Sequence, residues 1–313
     1  MRLALDRIRA AAVVIDPVFR DTPQYECGPL SDALGCSVTL KVETLNPVRS
    51  FKGRGTDTVI GGLDGGAVVC ASAGNLGQAL AYSGARRGIP VTVVVGRTAN
   101  ELKVERMREL GADVRVAGED IDHARAAAQR IAVDEGARLV EDSLDLATCE
   151  GAGTIGLELA EADVDVLLIA LGGGALASGV GHVSKTLTPR TEVVTVQPAG
   201  APAMTLSWRR GEVVETETMD TIADGVAGRE PIPDALGDLL EVVDDAVLVE
   251  EDSIKEGMRL LYLHAGLVVE PSAALGVAAV LEDRERFAGR RVATIVCGGN
   301  VAPSDFERWA ISR

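Results

Sequence analysis

The stretch VDVLLIALGGGALASGVGHVSKTLTPRTEVVTVQP, residues 164–198, decides the fold. It opens on a β-branched and leucine-rich run and breaks at Gly172, Gly173 and Gly174. It continues with apolar and small residues in a helical pattern, then returns to a β-branched run at 192–198. Strand, glycine turn, helix, strand is the unit of a parallel sheet, because parallel neighbours need a crossover long enough to hold a helix. Residues 166–184 carry no Asp, Glu, Lys or Arg, a length that would span a bilayer. The three glycines interrupt it where strand character gives way to helix character, so the expectation is a buried helix and no membrane partner.

Working outward, the same unit recurs. Strands are expected at 38–43, 67–71, 91–96, 112–118, 164–171, 192–198 and 291–298. Helices are expected between them, with those closing at Gly88, Gly111 (spanning 100–111) and Gly136 ending on the residue that tolerates a left-handed cap. The fold class is therefore α/β. From 68 to 143 the alternation is strict and compact, which predicts a small domain over 68–143 and a large domain from 1–67 and 144–313. Residues 200–233 hold three of the 12 prolines with little periodicity, and are expected to form loops over the active-site face.

A chain of 313 residues with 47% hydrophobic residues buries about three quarters of its unfolded surface and needs no metal or disulfide to be stable. The 47 acidic against 31 basic residues give a net charge of −16, the wrong sign for a phosphate backbone, and only nine residues are aromatic, so nucleic acid is excluded as a partner. Cys27, Cys36, Cys70, Cys149 and Cys297 are odd in number and show no C-x-x-C spacing, the pattern of reduced thiols in the cytoplasm. The opening residues 1–17 place Leu5, Ile8, Ala12 and Ile15 at helical spacing but carry Asp6, Arg7, Arg9 and Asp16, which predicts a surface helix rather than a secretion signal.

Four segments carry candidate chemistry. In NPVRSFKGRGTD (46–57), Lys52 lies between Phe51 and a glycine, and it is one of only five lysines. It reads either as a solvated side chain or as an amine nucleophile held where a loop becomes a helix. In CASAGNLGQA (70–79), Ser72 and Asn75 offer donors beside exposed backbone N–H groups, either as a seat for a carboxylate or as an ordinary helix cap. In LGGGALASG (171–179) the glycines let the backbone close around an anion or make a tight turn; Walker spacing is absent, and no acidic residue follows in the place a dinucleotide site needs. In VCGGN (296–300), Cys297 is either a small buried hydrophobe or a thiol with a task. No cluster has the spacing of metal ligands.

The segments SFKGRG (50–55), SAGNLGQA (72–79), GGGALASG (172–179), TIADGVA (221–227), VVEPSAALGVAAVL (268–281) and VCGGN together resemble, in that order, the fold type II pyridoxal-phosphate enzymes, and in particular their serine/threonine dehydratase and serine racemase group. The resemblance covers nearly the whole chain. It implies two open parallel-sheet domains with helices on both faces, as in the tryptophan synthase β-like fold, and a homodimer. It implies pyridoxal 5'-phosphate as cofactor, with Lys52 forming the Schiff base, Phe51 packing near it and Asn75 contacting its 3-hydroxyl. Gly172, Gly173, Gly174, Ala175 and Leu176 would cradle the phosphate, Cys297 would face the pyridine nitrogen, and Gly225 and Glu270 would complete the pocket. The substrate would sit on Ser72, Ala73, Gly74, Asn75 and Leu76.

The implied reaction is β-elimination of a β-hydroxy amino acid such as L-threonine or L-serine to a 2-oxo acid and ammonia. Lys52 would remove the α-proton and the phosphate region would assist the leaving hydroxyl. The alternatives are a threonine synthase or cysteine synthase-like replacement enzyme and a non-catalytic binding protein on the same fold. Three departures from the family pattern stand out. Leu76 replaces a histidine. Ala73 replaces the serine that racemases use as a second proton donor. Gln197 and Ala203 stand where racemase-like members place acidic ligands, so no divalent cation is expected.

Overall fold

The structure, a computed structural model, describes residues 1–99, 101–119 and 121–312. Asn100, where the helix expected over 100–111 begins, lies outside the described residues, as do Asp120 and Arg313. The chain opens with α1 (Leu5–Val14), β1 (Gln24–Glu26), α2 (Gly28–Leu34), β2 (Ser37–Val42) and α3 (Lys52–Gly61). It continues through β3 (Val68–Ala71), α4 (Asn75–Arg87), β4 (Val91–Val95), α5 (Glu101–Glu109), β5 (Asp113–Val116), α6 (Ile121–Glu135) and β6 (Arg138–Leu139). Then come α7 (Leu146–Leu159), β7 (Val166–Ala170), α8 (Ala175–Leu187), β8 (Glu192–Pro198), α9 (Ala203–Arg210), α10 (Pro233–Val242), β9 (Asp245–Val249) and α11 (Glu251–Ala265). The last elements are α12 (Leu275–Glu282), α13 (Arg284–Phe287), β10 (Arg291–Val296) and α14 (Pro303–Phe306).

The strands form two sheets flanked by helices, one of six strands in the order β1-β2-β10-β7-β8-β9 and one of four in the order β5-β4-β3-β6. All pairings are parallel except β1 with β2, so the large sheet carries one antiparallel edge strand. That edge escapes the sequence because QYE is three residues long and mostly exposed. The other two strands outside the expected set are β6, which is two residues, and β9, whose run DAVLV lies between acidic residues. The irregular 200–233 stretch is broken by α9 and by a short 3-10 turn at Asp224–Val226.

The larger core gathers β2, β7, β8 and β10 with the apolar faces of α8, α11 and α12. The smaller sheet has its own core of Val68, Cys70, Val91, Val93 and Val95, to which α3 contributes Val59 and Ile60. Its other face packs Val69 and Val94 against Ala124, Ala127 and Ala128 of α6. Helix α3 packs on α7 at backbone distance: a Cβ on Gly55 would stand 2.7 Å from the Thr148 carbonyl oxygen, and one on Gly151 would stand 2.6 Å from that of Arg54. Gly55 thus serves the packing of α3 on α7, while a Cβ on Gly53 would run into the Phe19 ring.

Beneath α3 lies a buried ionic network. Arg54, with no exposed surface, donates to both carboxylate oxygens of Glu43 at 2.9 and 2.8 Å, to Glu158 and to Thr154, while Lys41 donates to Glu158 and to the Thr22 carbonyl. Two cations facing two carboxylates leave the cluster neutral, the condition under which buried charge is tolerated. Among the described residues no helix is long and apolar enough to cross a membrane.

Candidate active site

In parallel sheets the carboxyl ends of the strands share one edge, and the crevice outside that edge is where ligands bind. The candidate residues follow four such ends. Ser72–Asn75 follows β3, Asp142 and Ser143 follow β6, Gly172–Gly174 follows β7, and Cys297–Asn300 follows β10. The segment before α3 is tied to the β10 end: the Phe51 N–H donates to the Cys297 carbonyl at 3.0 Å, and Ser50 bridges Gly298. Lys52 is therefore the first residue of a helix whose start is fixed by the main sheet.

A helix N-terminus is the end at which a cation is least favoured, so Lys52 needs a counter-charge. Its amine donates to Asp142 Oδ2 and lies 4.6 Å from the centre of the Phe51 ring. The lysine side chain is 16% exposed, enough to be reached from the crevice. The residue after Asp142, Ser143, is held at φ 68° and fully buried, and its Oγ accepts from the Ala175 N–H at 3.1 Å. One segment thus touches both the lysine and the glycine loop at the start of α8. Gly174, at φ 107°, sets the turn into that helix, and a Cβ on Gly173 would stand 2.7 Å from Ser143 Oγ. Leu176 turns its side chain into the large core and offers the site only its backbone.

Asn75 begins α4 but does not cap it: Gly74 holds the cap position without a side-chain bond. The Asn75 amide instead crosses to the other sheet, donating to Glu270 Oε1 and Oε2 at 2.9 and 3.1 Å and accepting from Asn300 Nδ2 at 2.8 Å. Asn300 also donates its backbone N–H to Glu270 at 3.1 Å and its amide to the Val48 carbonyl at 2.9 Å. Within the Asn75 loop, Ser72 Oγ accepts from the Gly74 N–H at 3.2 Å, Ala73 leans on the small core and Leu76 is buried.

Burial raises the Glu270 carboxyl above its ordinary range, against the donors of Asn75 and Asn300. Burial, reinforced by the charge of Glu270, raises the Cys297 thiol and keeps it uncharged at neutral pH. The backbone closes tightly here: a Cβ on Gly298 would fall 2.4 Å from the Glu270 carboxyl carbon, and one on Gly225 2.8 Å from Ser272 Oγ. Across the mouth of the crevice, Lys103 on α5 donates to Asp224.

The structure brings most of the candidates to the strand ends around one crevice, together with three residues to which the sequence assigned no role. Asp142 and Ser143 sit after a two-residue strand in EDSL, a segment with no glycine or motif to mark it. Asn300 was inside the quoted VCGGN but carried no assigned role. Gln197 spends its amide oxygen on the Thr205 N–H at 2.9 Å, and among the described residues no group of three His, Cys, Asp or Glu side chains is arranged to hold a metal ion.

The donor set suits an aldehyde cofactor bearing a phosphate. An amine is poised at the crevice, a glycine cradle opens onto a helix N-terminus, the Asn75 amide is held at the start of α4 by Glu270 and Asn300, and the uncharged Cys297 thiol lies at the end of β10. Residues 15–298 match the family described as pyridoxal-phosphate dependent enzyme. The chain is 36% identical to an L-threonine ammonia-lyase from Thermotoga maritima, over 98% of this chain and 78% of the relative. It is 31% identical to a serine racemase from Oryza sativa subsp. indica, over 94% and 90%. The solved processed form of threonine deaminase isoform 2 from Solanum lycopersicum superimposes with a TM-score of 0.89 at 30% identity, covering 98% of this chain and 93% of that one. The chain belongs to the pyridoxal-phosphate dependent enzymes of this two-sheet fold.

Proposed function

We propose that the protein eliminates water from a β-hydroxy amino acid such as L-threonine or L-serine, giving a 2-oxo acid and ammonia. The observation that carries this reading is the placement of Lys52: its amine lies in the crevice on Asp142, whose neighbour Ser143 holds the first N–H of the glycine-loop helix. Relatives with threonine ammonia-lyase and threonine deaminase activity in their names support the reaction class.

In this reading Lys52 carries pyridoxal 5'-phosphate, the backbone of Gly172, Gly173, Gly174, Ala175 and Leu176 takes the phosphate, Asn75 faces the 3-hydroxyl, Phe51 packs near the ring, and Gly225 and Glu270 complete the pocket. The bound cofactor supplies an electron sink for negative charge at the substrate α-carbon. The uncharged Cys297 thiol would face the pyridine nitrogen, where it would not hold a proton on the ring as a carboxylate does. Ser72, Ala73, Gly74, Asn75 and Leu76 seat the substrate carboxylate and side chain, with backbone N–H groups at the start of α4 as donors. With the cofactor bound, the Lys52 amine would take the α-proton, the β-hydroxyl would leave as water on receiving a proton from the phosphate region, and the enamine product would hydrolyse to the 2-oxo acid and ammonia. Ala73 offers no hydroxyl on the opposite face, which favours elimination over racemisation.

The same reading assigns 68–143 to a small domain and 1–67 with 144–313 to a large one, in a cytoplasmic homodimer; five buried free cysteines support a reducing compartment. The test is product analysis of the purified holoenzyme with L-threonine and L-serine. We expect equal amounts of 2-oxo acid and ammonia, trapping of the cofactor on Lys52 by borohydride, and a loss of at least about 10²- to 10⁴-fold in Lys52→Ala. A requirement for a second substrate would replace the reading with β-replacement, a D-amino acid as main product with racemisation, and full activity of Lys52→Ala would end it.

A further inference from the structure

Asp142 is half-buried and meets Lys52 with one oxygen, Oδ2. Its other oxygen, Oδ1, is buried and has no hydrogen-bond partner. A buried acceptor left unpaired costs about 1–3 kcal/mol, more when charged, so the working site must bring it a donor. The contact with Lys52 cannot be permanent, because in the family reaction that amine is tied to the cofactor and later freed as an uncharged base. The walls beside Asp142 do not replace it. Cys70 and Cys149, whose thiols burial and the nearby Asp142 charge push up to about 12, offer only weak S–H donors, neither of them bonded to Oδ1 and that of Cys149 directed to the Ser143 carbonyl, and the N–H of Ala175 is taken by Ser143.

The missing donor must come from the substrate, and only one of its groups qualifies. The α-amine is consumed in the exchange with Lys52. The α-carboxylate carries the same charge as Asp142 and is seated away from it, on the loop from Ser72 to Asn75. What remains near the lysine is the substituent on the β-carbon, next to the α-proton that Lys52 removes.

We propose that Asp142 reads this β-substituent, accepting a hydrogen bond from a hydroxyl or ammonium there, and so selects substrates that carry such a donor. This deepens the elimination reading above and rests on it. Substituents without a donor, such as chloride or an acyl ester, leave the carboxylate unpaired, and an anionic phosphate ester is repelled. A site built around a polar partner rejects analogues lacking it far more strongly than an apolar pocket rejects a change in size.

Two measurements on the holoenzyme test this, with Asp142→Ala and Asp142→Asn both checked for native circular dichroism. The first is the ratio of kcat/KM for L-serine to that for β-chloro-L-alanine, which bears a leaving group but no donor. It should fall about ten- to a hundredfold in the variants, the range for a hydrogen bond to a charged group. The second uses ligands that cannot be turned over because they lack an α-proton. α-Methyl-L-serine should bind about tenfold more tightly than 2-aminoisobutyrate to the natural protein, by visible absorbance titration, and equally to the variants.

An unchanged kcat/KM ratio, with both substrates losing activity in parallel, would place the role of Asp142 at Lys52 alone and overturn the inference. Equal binding of the two ligands to the natural protein would overturn it too. Absence of turnover on every β-hydroxy substrate, with the binding preference present and lost in the variants, would sink the elimination reading and leave the inference standing.

Discussion

Glu270 shows how a single side chain couples the site to the fold. It is 5% exposed, bonded to Asn75 from one sheet and to Asn300 from the other, and burial raises its carboxyl above the ordinary value of 4.5. A carboxyl that titrates higher when folded binds more protons folded than unfolded. Its contribution to stability is therefore greatest below about pH 4.5 and declines as pH rises through the folded value. Glu270→Gln cannot ionise, so its melting temperature relative to the natural protein should improve between about pH 4 and about pH 7. A difference that is flat over that range would mean that Asn75 and Asn300 fully offset the burial. The residue that sequence reading could not reach is Asp142. A carboxylate next to a lysine is a relation across 90 positions, and nothing in EDSL distinguishes it from a solvated acidic turn.

At the scale of elements, the strand–glycine–helix units were legible because their period changes abruptly, from the alternation or continuous apolar run of a strand to 3.6. Residues 166–187 fold as read, with β7, the three glycines and α8 in sequence. Strands β1 and β6 were not legible, since two or three residues make no period, and β9 was hidden by its acidic flanks. Gly55 marks the close approach of α3 to α7, while Gly53 makes room for the Phe19 ring. That approach is anchored from below by Arg54, two residues after Lys52, over Glu43 and Glu158. Arg54→Ala would leave the fully buried Glu43 without its counter-charge, and should cost about 3–5 kcal/mol in chemical denaturation. A loss below about 1 kcal/mol would show that Lys41 and Thr22 suffice to hold the two carboxylates.

For the whole molecule, the net charge of −16 says little about the crevice, where lysine decides. Each of the five lysines has a carboxylate partner, but Lys52 and Lys103 are the two whose partners lie across the crevice, Asp142 on the same side as the small sheet and Asp224 beside Gly225. Together with Asn75 bonded to Glu270 and Asn300, these contacts bring the small sheet's strand ends against the large sheet's. A cofactor that spans Lys52, the glycine loop and Asn75 binds the folded chain and not the unfolded one, so it must stabilise by mass action. At free pyridoxal 5'-phosphate about a hundredfold above its dissociation constant the gain is about 2.7 kcal/mol, on the order of 4 °C in melting temperature for a chain of 313 residues. Lys52→Ala keeps the cradle and loses the covalent link, so its shift should be smaller at the same cofactor concentration and still above that given by inorganic phosphate alone. Scanning calorimetry of both proteins with cofactor, phosphate and neither checks this ordering. A shift of equal size in the natural protein and in Lys52→Ala would mean that the glycine loop and Asn75, rather than the lysine, hold the cofactor in place.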